Sequence, residues 1–509
     1  MNNSNPPSET RNGPTISERM YRSLRWMIIV TWMIRKMCLT AQRKGGDASD
    51  KIATGVDRPR SMRYIGTIPM NKRLYVETWG CQMNIHQSEG IVGVLKRDGF
   101  ALTESLAEAD VVIFNTCMVR QKAEEKVYGR IGAVVEEKRK RNVLLGVGGC
   151  MAQVRGEDLL KRFSAIDFTF GSSDIASLPE LVHTAAGKQS ERITHIASPR
   201  GIDEVPSHRQ SPVTAMVTIT QGCSNFCSYC VVPYARGPLR SREPEAILRE
   251  VKQATRDGYP EILLLGQNVD SYGTDRPEYG SFADLLGRIA DVGTPRIRFT
   301  SSHPKDMTPR VIEQIGAHDN ICNHIHLACQ SGSDRILAEM NRGYTRRDFL
   351  SILRQARSVI PEINITTDLI VGYPGETEDD FANTLELIDE ARFGSIFVAM
   401  YSPRPRTRSA LLPDNVTPEA KSARLHAVLD LQREIALSQN RERIGSRLEV
   451  LIEGKTRAGR AYGRTDAHRT VVIAGEGTVG EFVQVFIEDA TTAALIGKRV
   501  DSMVSQGAQ

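Results

Sequence analysis

The chain is predicted to be a multidomain α/β protein, on three observations. From Lys72 onward apolar runs alternate with helical stretches, a pattern that calls for parallel sheets. Between Ala215 and Tyr401 six strand–helix units recur, which suggests a partial, six-unit version of the eight-unit parallel barrel. After Gly445 the pattern changes to short period-two strands broken by glycines, as in a small all-β barrel. A length of 509 residues exceeds one ordinary core, and 40% apolar with 25% charged residues reads as soluble and globular.

Taken in order, residues 1–70 read as an amino-terminal extension, either disordered or preceding a true start near Met62 or Met70. Its apolar run Trp26 to Ile34 is nine residues long, too short to span a bilayer, and no small-residue cleavage site follows it. A mitochondrial transit peptide stays open, with Glu9 and Glu18 against it. Residues 72–187 form a parallel α/β domain with strands at Leu74 to Trp79, Val111 to Phe114 and Val143 to Val147, and helices at Gln87 to Asp98 and Gln121 to Arg139. Each strand runs into a cysteine: Cys81, Cys117 and Cys150. The crevice of such a sheet lies beyond the carboxyl ends of its strands, so all three thiols gather there. One buried cysteine is usually a small hydrophobe, whereas three at equivalent strand ends read as ligands of an iron–sulfur cluster.

A polar, irregular stretch from Lys188 through Pro206 reads as a linker. The six-unit barrel occupies residues 209–440, with strands at Ala215 to Thr220, Glu261 to Leu265, Arg296 to Thr300, His324 to Ala328, Ile365 to Val371 and Ile396 to Tyr401. A long charged helix, Thr417 to Ile444, leads out of it. Residues 441–504 form the small β barrel, with strands at Leu448 to Ile452, Ala461 to Thr465, Val471 to Ala474 and Phe482 to Ile487.

Charge says little in bulk. The net +5 is confined to residues 1–60, which hold 11 basic and 5 acidic residues and so leave −1 for the rest. Nucleic-acid contact must rest on local patches. One exists: Lys455, Arg457, Arg460, Arg464 and Arg469 share fifteen residues with the single acid Asp466. This segment either contacts RNA phosphates or is a solvated hairpin. Nine cysteines in a chain of this length are no disulfide scaffold, and six of them fall into two trios, which implies a reducing, cytoplasmic setting without membrane attachment.

The second trio carries the most information. Cys223-Ser224-Asn225-Phe226-Cys227-Ser228-Tyr229-Cys230 puts three soft thiolates on one tight loop after the first barrel strand. A 4Fe-4S cube has four irons, so three thiolates leave one iron open to a ligand that is not protein. Zinc normally closes with a fourth ligand, and no histidine lies between His208 and His303. Zinc and incidental burial remain the alternatives.

This run resembles the signature of radical S-adenosylmethionine (SAM) enzymes. The resemblance implies that SAM chelates the open iron and is cleaved to methionine and a 5'-deoxyadenosyl radical, with Tyr229 packing near the adenine or simply covering the cluster. The two trios together resemble the radical-SAM methylthiotransferases over about Lys72 to Val500, and local words point to the MiaB-type branch that acts on tRNA. These are Glu77-Thr78-Trp79-Gly80-Cys81-Gln82-Met83-Asn84, Asn115-Thr116-Cys117 and Gly149-Cys150-Met151-Ala152-Gln153. Further matches are Tyr229-Cys230-Val231-Val232-Pro233-Tyr234, Gly266-Gln267-Asn268-Val269, Thr300-Ser301-Ser302-His303-Pro304, Gln330-Ser331-Gly332-Ser333 and Gly372-Tyr373-Pro374-Gly375-Glu376.

The resemblance implies methylthiolation at C2 of N6-(dimethylallyl)adenosine at position 37, beside the tRNA anticodon. It implies two 4Fe-4S clusters, one on Cys223, Cys227 and Cys230 that makes the radical, and one on Cys81, Cys117 and Cys150 that carries the transferred sulfur. Tyr229, Gly266, Gln267, Gly372 and Pro374 are then expected around SAM, although an isolated glycine at a strand end is often only a turn. The carboxyl-terminal barrel becomes a TRAM-like RNA-binding domain. The partners are a tRNA anticodon loop and an electron donor such as a flavodoxin or ferredoxin, and the protein is expected to be a monomer. Cys38, Cys322 and Cys329 match no ligand position. Ala328-Cys329 and Arg406-Thr407-Arg408 depart from the family pattern near the barrel mouth. Two readings stay open beside this one: another methylthiolated target, either a different adenosine or a ribosomal-protein aspartate, and a non-catalytic iron–sulfur RNA-binding redox sensor.

Overall fold

The computed structural model describes residues 72–118, 121–187, 191–196, 202 and 204–500. The expectations for the 1–70 extension, with its Trp26 to Ile34 run and Cys38, lie outside the described residues, as does much of the linker.

The amino-terminal domain is one parallel sheet of β1 (Arg73–Thr78), β2 (Ala101–Leu102), β3 (Val111–Thr116), β4 (Leu144–Gly149), β5 (Phe168–Phe170) and β6 (Ile193–His195), in the order β2-β1-β3-β4-β5-β6. β3 and β4 are buried along their whole length, which is why they read as unbroken apolar runs instead of alternations. The glycines of β4 make room for aromatic rings of β5: a Cβ at Gly148 would lie 2.1 Å from the Phe170 ring. β6 falls inside the stretch expected to be a linker. Its three residues carry no apolar pattern, and it joins the sheet by main-chain pairing to β5.

The central domain contains β7 (Thr214–Thr218), the short pair β8 (Thr220–Gln221) and β9 (Arg240–Ser241), then β10 (Glu261–Leu265), β11 (Arg296–Phe299), β12 (His324–His326), β13 (Asn364–Val371) and β14 (Ser395–Met400). Parallel ladders β7-β10-β11 and β12-β13-β14 are joined by bridges at Ile297–Ile321 and Ser302–Leu327, giving the expected six-stranded partial barrel with β7 and β14 as its edges. Val217, Leu264, Phe299, Ile325, Leu369 and Ile396 belong to the apolar core under the helices. The intervening residues carry a polar lumen: Arg298 pairs with Glu261 at 3.2 Å, both His324 and His326 reach Thr366 at 3.0 Å, and His326 reaches Asp368 at 3.0 Å. Three barrel helices begin with reciprocal capping pairs, Ser281 with Asp284, Thr345 with Asp348 and Thr377 with Asp380, which fix where each strand-to-helix loop ends.

The Pro418–Arg441 helix, capped by Thr417, packs on β14 and leads to β15 (Arg447–Lys455), β16 (Ala461–Arg464), β17 (Thr470–Ala474), β18 (Phe482–Ala490) and β19 (Leu495–Arg499). These close into a barrel in the order β15-β16-β17-β19-β18. Four of the five strands were legible as alternations. The fifth, β19, includes Gly497, where a Cβ would meet the Phe486 carbonyl at 2.3 Å.

The turn between β16 and β17 inserts into the amino-terminal mouth of the large barrel. Arg296 donates to the Arg464 carbonyl (2.8 Å), Arg298 to those of Asp466 (3.1 Å) and Thr465 (3.3 Å), and Asn364 to that of Ala467 (2.7 Å). Asn323 donates to the Asp466 carboxylate at 2.9 Å, and the His324 and His468 rings stack with centroids 4.6 Å apart. No described helix is long and apolar enough to cross a membrane.

Candidate functional site

The loop after β8 is held by contacts from distant parts of the chain. Gly222 has φ +82°, and a Cβ there would sit 2.0 Å from the Pro238 carbonyl, so only glycine fits. Cys223 donates its N–H to the Gly237 carbonyl (3.1 Å), and the Cys230 N–H closes on the Cys227 carbonyl (2.9 Å). Ser228 is anchored through its N–H to the Met340 carbonyl (3.0 Å) and through its hydroxyl to the Glu339 carbonyl (2.8 Å). Asn341 donates to the carbonyls of Asn225 (3.2 Å) and Phe226 (3.1 Å). That anchorage keeps Phe226 at φ +47° with half its surface exposed, in edge-to-face contact with Tyr234 at 6.2 Å.

Around these thiols stand polar residues from the carboxyl ends of the barrel strands. The buried Arg342 brings Nη1 to 3.4 Å from Cys227 Sγ and from the Tyr229 hydroxyl. Asp270 accepts from the Ser302 hydroxyl (3.1 Å) and the His303 N–H (3.0 Å), and burial pushes its carboxyl up to about 8. Burial holds His303 neutral, with its pKa brought down to about 2. Asn268 donates to Asp306 at 2.6 Å. Thr220 Oγ1, Asn268 Oδ1 and His303 Nε2 are buried and have no hydrogen-bond partner among the described residues.

The other trio is assembled by the sheet. Cys81 is the cap of the Gln82–Arg97 helix after β1, Cys117 follows β3 directly, and Cys150 opens the Cys150–Arg162 helix after β4. A Cβ at Gly80 would lie 2.7 Å from Cys117 Cβ, and at Gly149, with φ +87°, a Cβ would lie 2.4 Å from the Thr116 carbonyl. Asn84 ties the strand ends together: it accepts from Cys81 Sγ (3.6 Å), donates to the carbonyls of Trp79 and Thr116 (both 3.0 Å), and its own carbonyl accepts from Asn115 (2.8 Å).

The two trios are neighbours. Cys150 shares an apolar cluster with Val231 and with Ala235 of the Val232–Arg236 segment that follows Cys230. Ser172 donates to the Ala235 carbonyl (3.1 Å), Gln221 to Ser173 (3.2 Å), and Met83 packs with Met216, Leu263 and Leu265 inside the barrel. Upstream, Glu89 accepts from the His208 N–H at its carbonyl (2.9 Å) and from the Gln210 N–H at its carboxylate (3.0 Å).

The residues expected around SAM divide. Gln267 Oε1 accepts from the Gly222 N–H and so pins the start of the cysteine loop. Gly266 faces Thr220, whose Oγ1 would lie 2.2 Å from a Cβ there. The Tyr229 ring packs against Ile336, Met340, Tyr373 and Tyr401. At Gly372, φ +71°, the space of the missing Cβ is taken by Lys421, and Pro374 is buried beside it. Sequence reasoning missed Arg342, Asp270, Asp306 and Arg236, because a charge far from its partner in sequence leaves no local pattern.

The basic patch divides too. Lys455, Arg457 and Arg460 are exposed. Arg464 is bound to Glu453 at 2.6 Å, and Arg469 donates to Asn440 (3.0 Å) and Gln439 (3.4 Å), so these two join the docking surface between the domains.

Among the described residues no three His, Cys, Asp or Glu side chains converge on a single point as one ion requires. A cube asks something different, since each thiolate takes its own iron. The donor chemistry fits that demand: two sets of three unbridged thiols, each beside one buried arginine. Burial pushes Cys230 up to about 12, and raises Cys223 and Cys150 as well. Such thiols stay protonated until a metal displaces the proton.

A model of the radical SAM superfamily matches residues 217–388, one described as uncharacterized protein family UPF0004 matches 73–171, and a TRAM domain model matches 441–500. The chain is 45% identical over 432 residues to the tRNA-2-methylthio-N(6)-dimethylallyladenosine synthase of Geobacter metallireducens, covering 84% of this chain and 98% of that protein. It is 43% identical over 450 residues to the synthase of the same name from Thermoanaerobacter pseudethanolicus, covering 86% and 96%. Among solved structures it resembles TsrM of Kitasatospora setae, a radical S-adenosylmethionine methyltransferase, with a TM-score of 0.52 over 68% of this chain and 74% of that one. At 14% identity this last likeness concerns the fold alone.

Proposed function

Because the chain belongs to the family of tRNA-2-methylthio-N(6)-dimethylallyladenosine synthases, radical SAM enzymes with an appended TRAM domain, we propose that it converts N6-(dimethylallyl)adenosine at tRNA position 37 into its 2-methylthio derivative. The observation that carries this reading is the packing of Cys150, from one trio, with Val231 and Ala235, which lie just after the last cysteine of the other. A C2–H bond is not acidic enough for an ordinary base, so sulfur insertion needs hydrogen abstraction and a sulfur source at one base, and two adjacent iron–sulfur sites meet that need.

Cys223, Cys227 and Cys230 would hold the 4Fe-4S cluster that binds SAM, and Cys81, Cys117 and Cys150 the second one. When bound, the first supplies one-electron chemistry at the C2–H bond and the second supplies the sulfur. The unpartnered buried atoms Thr220 Oγ1, Asn268 Oδ1 and His303 Nε2 offer the hydrogen-bonding capacity that a polar ligand such as SAM uses at the barrel mouth, alongside Tyr229, Gly266, Gln267, Gly372 and Pro374. Neutral His303 is free to accept or donate there without adding charge.

Position 37 lies in a single-stranded loop, and such loops are read by splaying bases onto aromatic faces. Phe226 and Tyr234, exposed at the rim of the cysteine loop, supply two such faces, and the strained Phe226 backbone marks a position fixed by its neighbours for use. Lys455, Arg457 and Arg460 contact phosphates of the same tRNA. A cytoplasmic one-electron donor, such as a flavodoxin or ferredoxin, completes the system.

Mass spectrometry of tRNA nucleosides from a deletion strain tests the assignment. The 2-methylthio derivative should disappear, its unmethylthiolated precursor should accumulate, and the wild-type gene should reverse both. Normal levels of the product in the deletion strain would refute the assignment.

A further inference from the structure

Arg236 is a cation enclosed where water does not reach it, 2% exposed. Among the described residues no carboxylate pairs with it: Nη2 donates to two neutral amides, Asn84 Oδ1 at 2.9 Å and Gln87 Oε1 at 3.0 Å, and Nη1 has no hydrogen-bond partner there. A buried charge without a counter-charge is strongly destabilising. The negative charge that answers it is specified by position. Ala235, the preceding residue, packs in one cluster with Cys150, and Asn84 is the residue that accepts from Cys81 Sγ. The groups that act most strongly on the guanidinium, after the burial itself, are Cys150, Cys81 and Cys117.

Arg236 also belongs to the wrong domain for a local role. It lies on the segment that follows Cys230, in the radical core, and reaches across to the strand ends of the amino-terminal sheet. The flat fork suits the position: one nitrogen is fixed by the two amides and leaves the other uncommitted, an arrangement lysine cannot reproduce.

We propose that Arg236 is the fixed counter-charge of the Cys81, Cys117 and Cys150 site, supplied by the radical core to favour the more negatively charged states of the iron–sulfur group held there. This rests on the reading of that trio as the second cluster site. Arg236 is a positioning and electrostatic residue and exchanges neither electrons nor atoms itself. A positive charge in a low-dielectric surrounding stabilises the reduced cluster over the oxidised one, and so raises its reduction potential. The same charge favours an anionic sulfide on the open iron.

The test uses the full chain with Cys223, Cys227 and Cys230 all replaced by alanine, reconstituted anaerobically with iron and sulfide, so that a single site remains. Iron and acid-labile sulfide are counted first, and absence of a cluster in this parent refutes the second-site reading itself. Redox titration followed by electron paramagnetic resonance then compares the parent with Arg236→Met and Arg236→Lys. The midpoint potential should move to more negative values in the methionine variant, with the lysine variant in between. Coincident potentials in parent and Arg236→Met would overturn the proposal. Loss of iron from Arg236→Met with retention in Arg236→Lys would support it. Should both variants lose iron, Gln87→Glu decides, since it leaves Arg236 in place and sets a carboxylate against it. That variant should also titrate at a more negative potential, and an unchanged value would overturn the proposal.

Discussion

The two thiol trios reach similar chemistry by opposite routes. Cys223, Cys227 and Cys230 sit within eight residues of one loop, so their spacing is local, but the loop has no regular structure and its shape is imposed by Gly237, Glu339, Met340 and Asn341. Cys81, Cys117 and Cys150 lie in three different strand–helix units, and their spacing comes from the sheet. β1, β3 and β4 are adjacent, and neighbouring strands lie about 4.8 Å apart, which sets the thiols side by side without any loop to shape. A loop-borne site depends on its clamps, and a strand-borne site depends on the register of its sheet.

The largest effects should come from separating the two sites. Cys223→Ala should reduce 5'-deoxyadenosine formation from SAM to background, whereas Cys81→Ala should leave SAM cleavage within the wild-type range and stop appearance of the methylthio nucleoside. Product assays on anaerobically reconstituted protein read both. Loss of cleavage in both variants would break the division of labour.

Glycine substitutions should then separate the two modes of support. Gly149 sits at φ +87°, ψ −164°, a region essentially closed to other residues, and its Cβ would meet the Thr116 carbonyl at 2.4 Å. Gly149→Ala should cost at least about 1–3 kcal/mol and displace Cys150 relative to β3. Gly222→Ala meets the Pro238 carbonyl at 2.0 Å and should disturb the loop while sparing the sheet. Iron per chain in each variant, read beside urea unfolding midpoints, should show one site lost and the other kept. Loss of both sites in either variant would mean that the two supports are not independent.

A smaller effect is expected with pH from two groups at the barrel mouth. Asp270 is held protonated by burial, with its folded pKa near 8 against about 3.9 unfolded. The folded state therefore binds more protons than the unfolded state between these values, and this contribution to stability is full below pH 4 and lost as pH rises through 8. His303, lowered to about 2, works in the other direction, with stability present above about pH 6.5 and lost as pH falls. Of these two groups only Asp270 gives a slope between about pH 6.5 and 8, at most about 1.4 kcal/mol per pH unit. Asp270→Asn should flatten the fall in unfolding free energy across that window, and an unaltered slope would show that Asp270 is ionised in the folded protein.

What the sequence made legible follows the same division. Period and punctuation located the strands that end in cysteines, because β3 and β4 are buried on both faces and the barrel strands end at glycine and polar turns. The Cys223 loop was legible as a motif because its three cysteines are local in sequence. Arg342 and Arg236 were not legible, since each is singled out only by what the fold places against it from another part of the chain. β6 was missed because Ile193, Thr194 and His195 on a sheet edge are too short a run to show a hydrophobic period. Arg464 and Arg469 were grouped with the exposed cations for the related reason that a charge cluster in sequence does not say which side chains turn inward.

That last grouping yields the smallest predicted effect. Lys455, Arg457 and Arg460 lie at the exposed end of the β15–β16 hairpin, while the β16–β17 turn beyond Arg464 is locked into the floor of the large barrel by Arg296, Arg298, Asn323 and Asn364. Replacing the three exposed cations with alanine should weaken tRNA binding and flatten the dependence of log affinity on log salt by about 2–3, the range for three lost phosphate contacts. Arg469→Ala removes hydrogen bonds to Asn440 and Gln439 and should lower stability by about 1–3 kcal/mol while leaving the salt slope unchanged. Binding measured over a salt series, beside thermal unfolding of the same variants, separates the two outcomes. If Arg469→Ala flattened the slope as much as the triple variant, the inward-turned arginines would belong to the RNA surface after all, and the inserted turn would have to leave the barrel floor when tRNA binds.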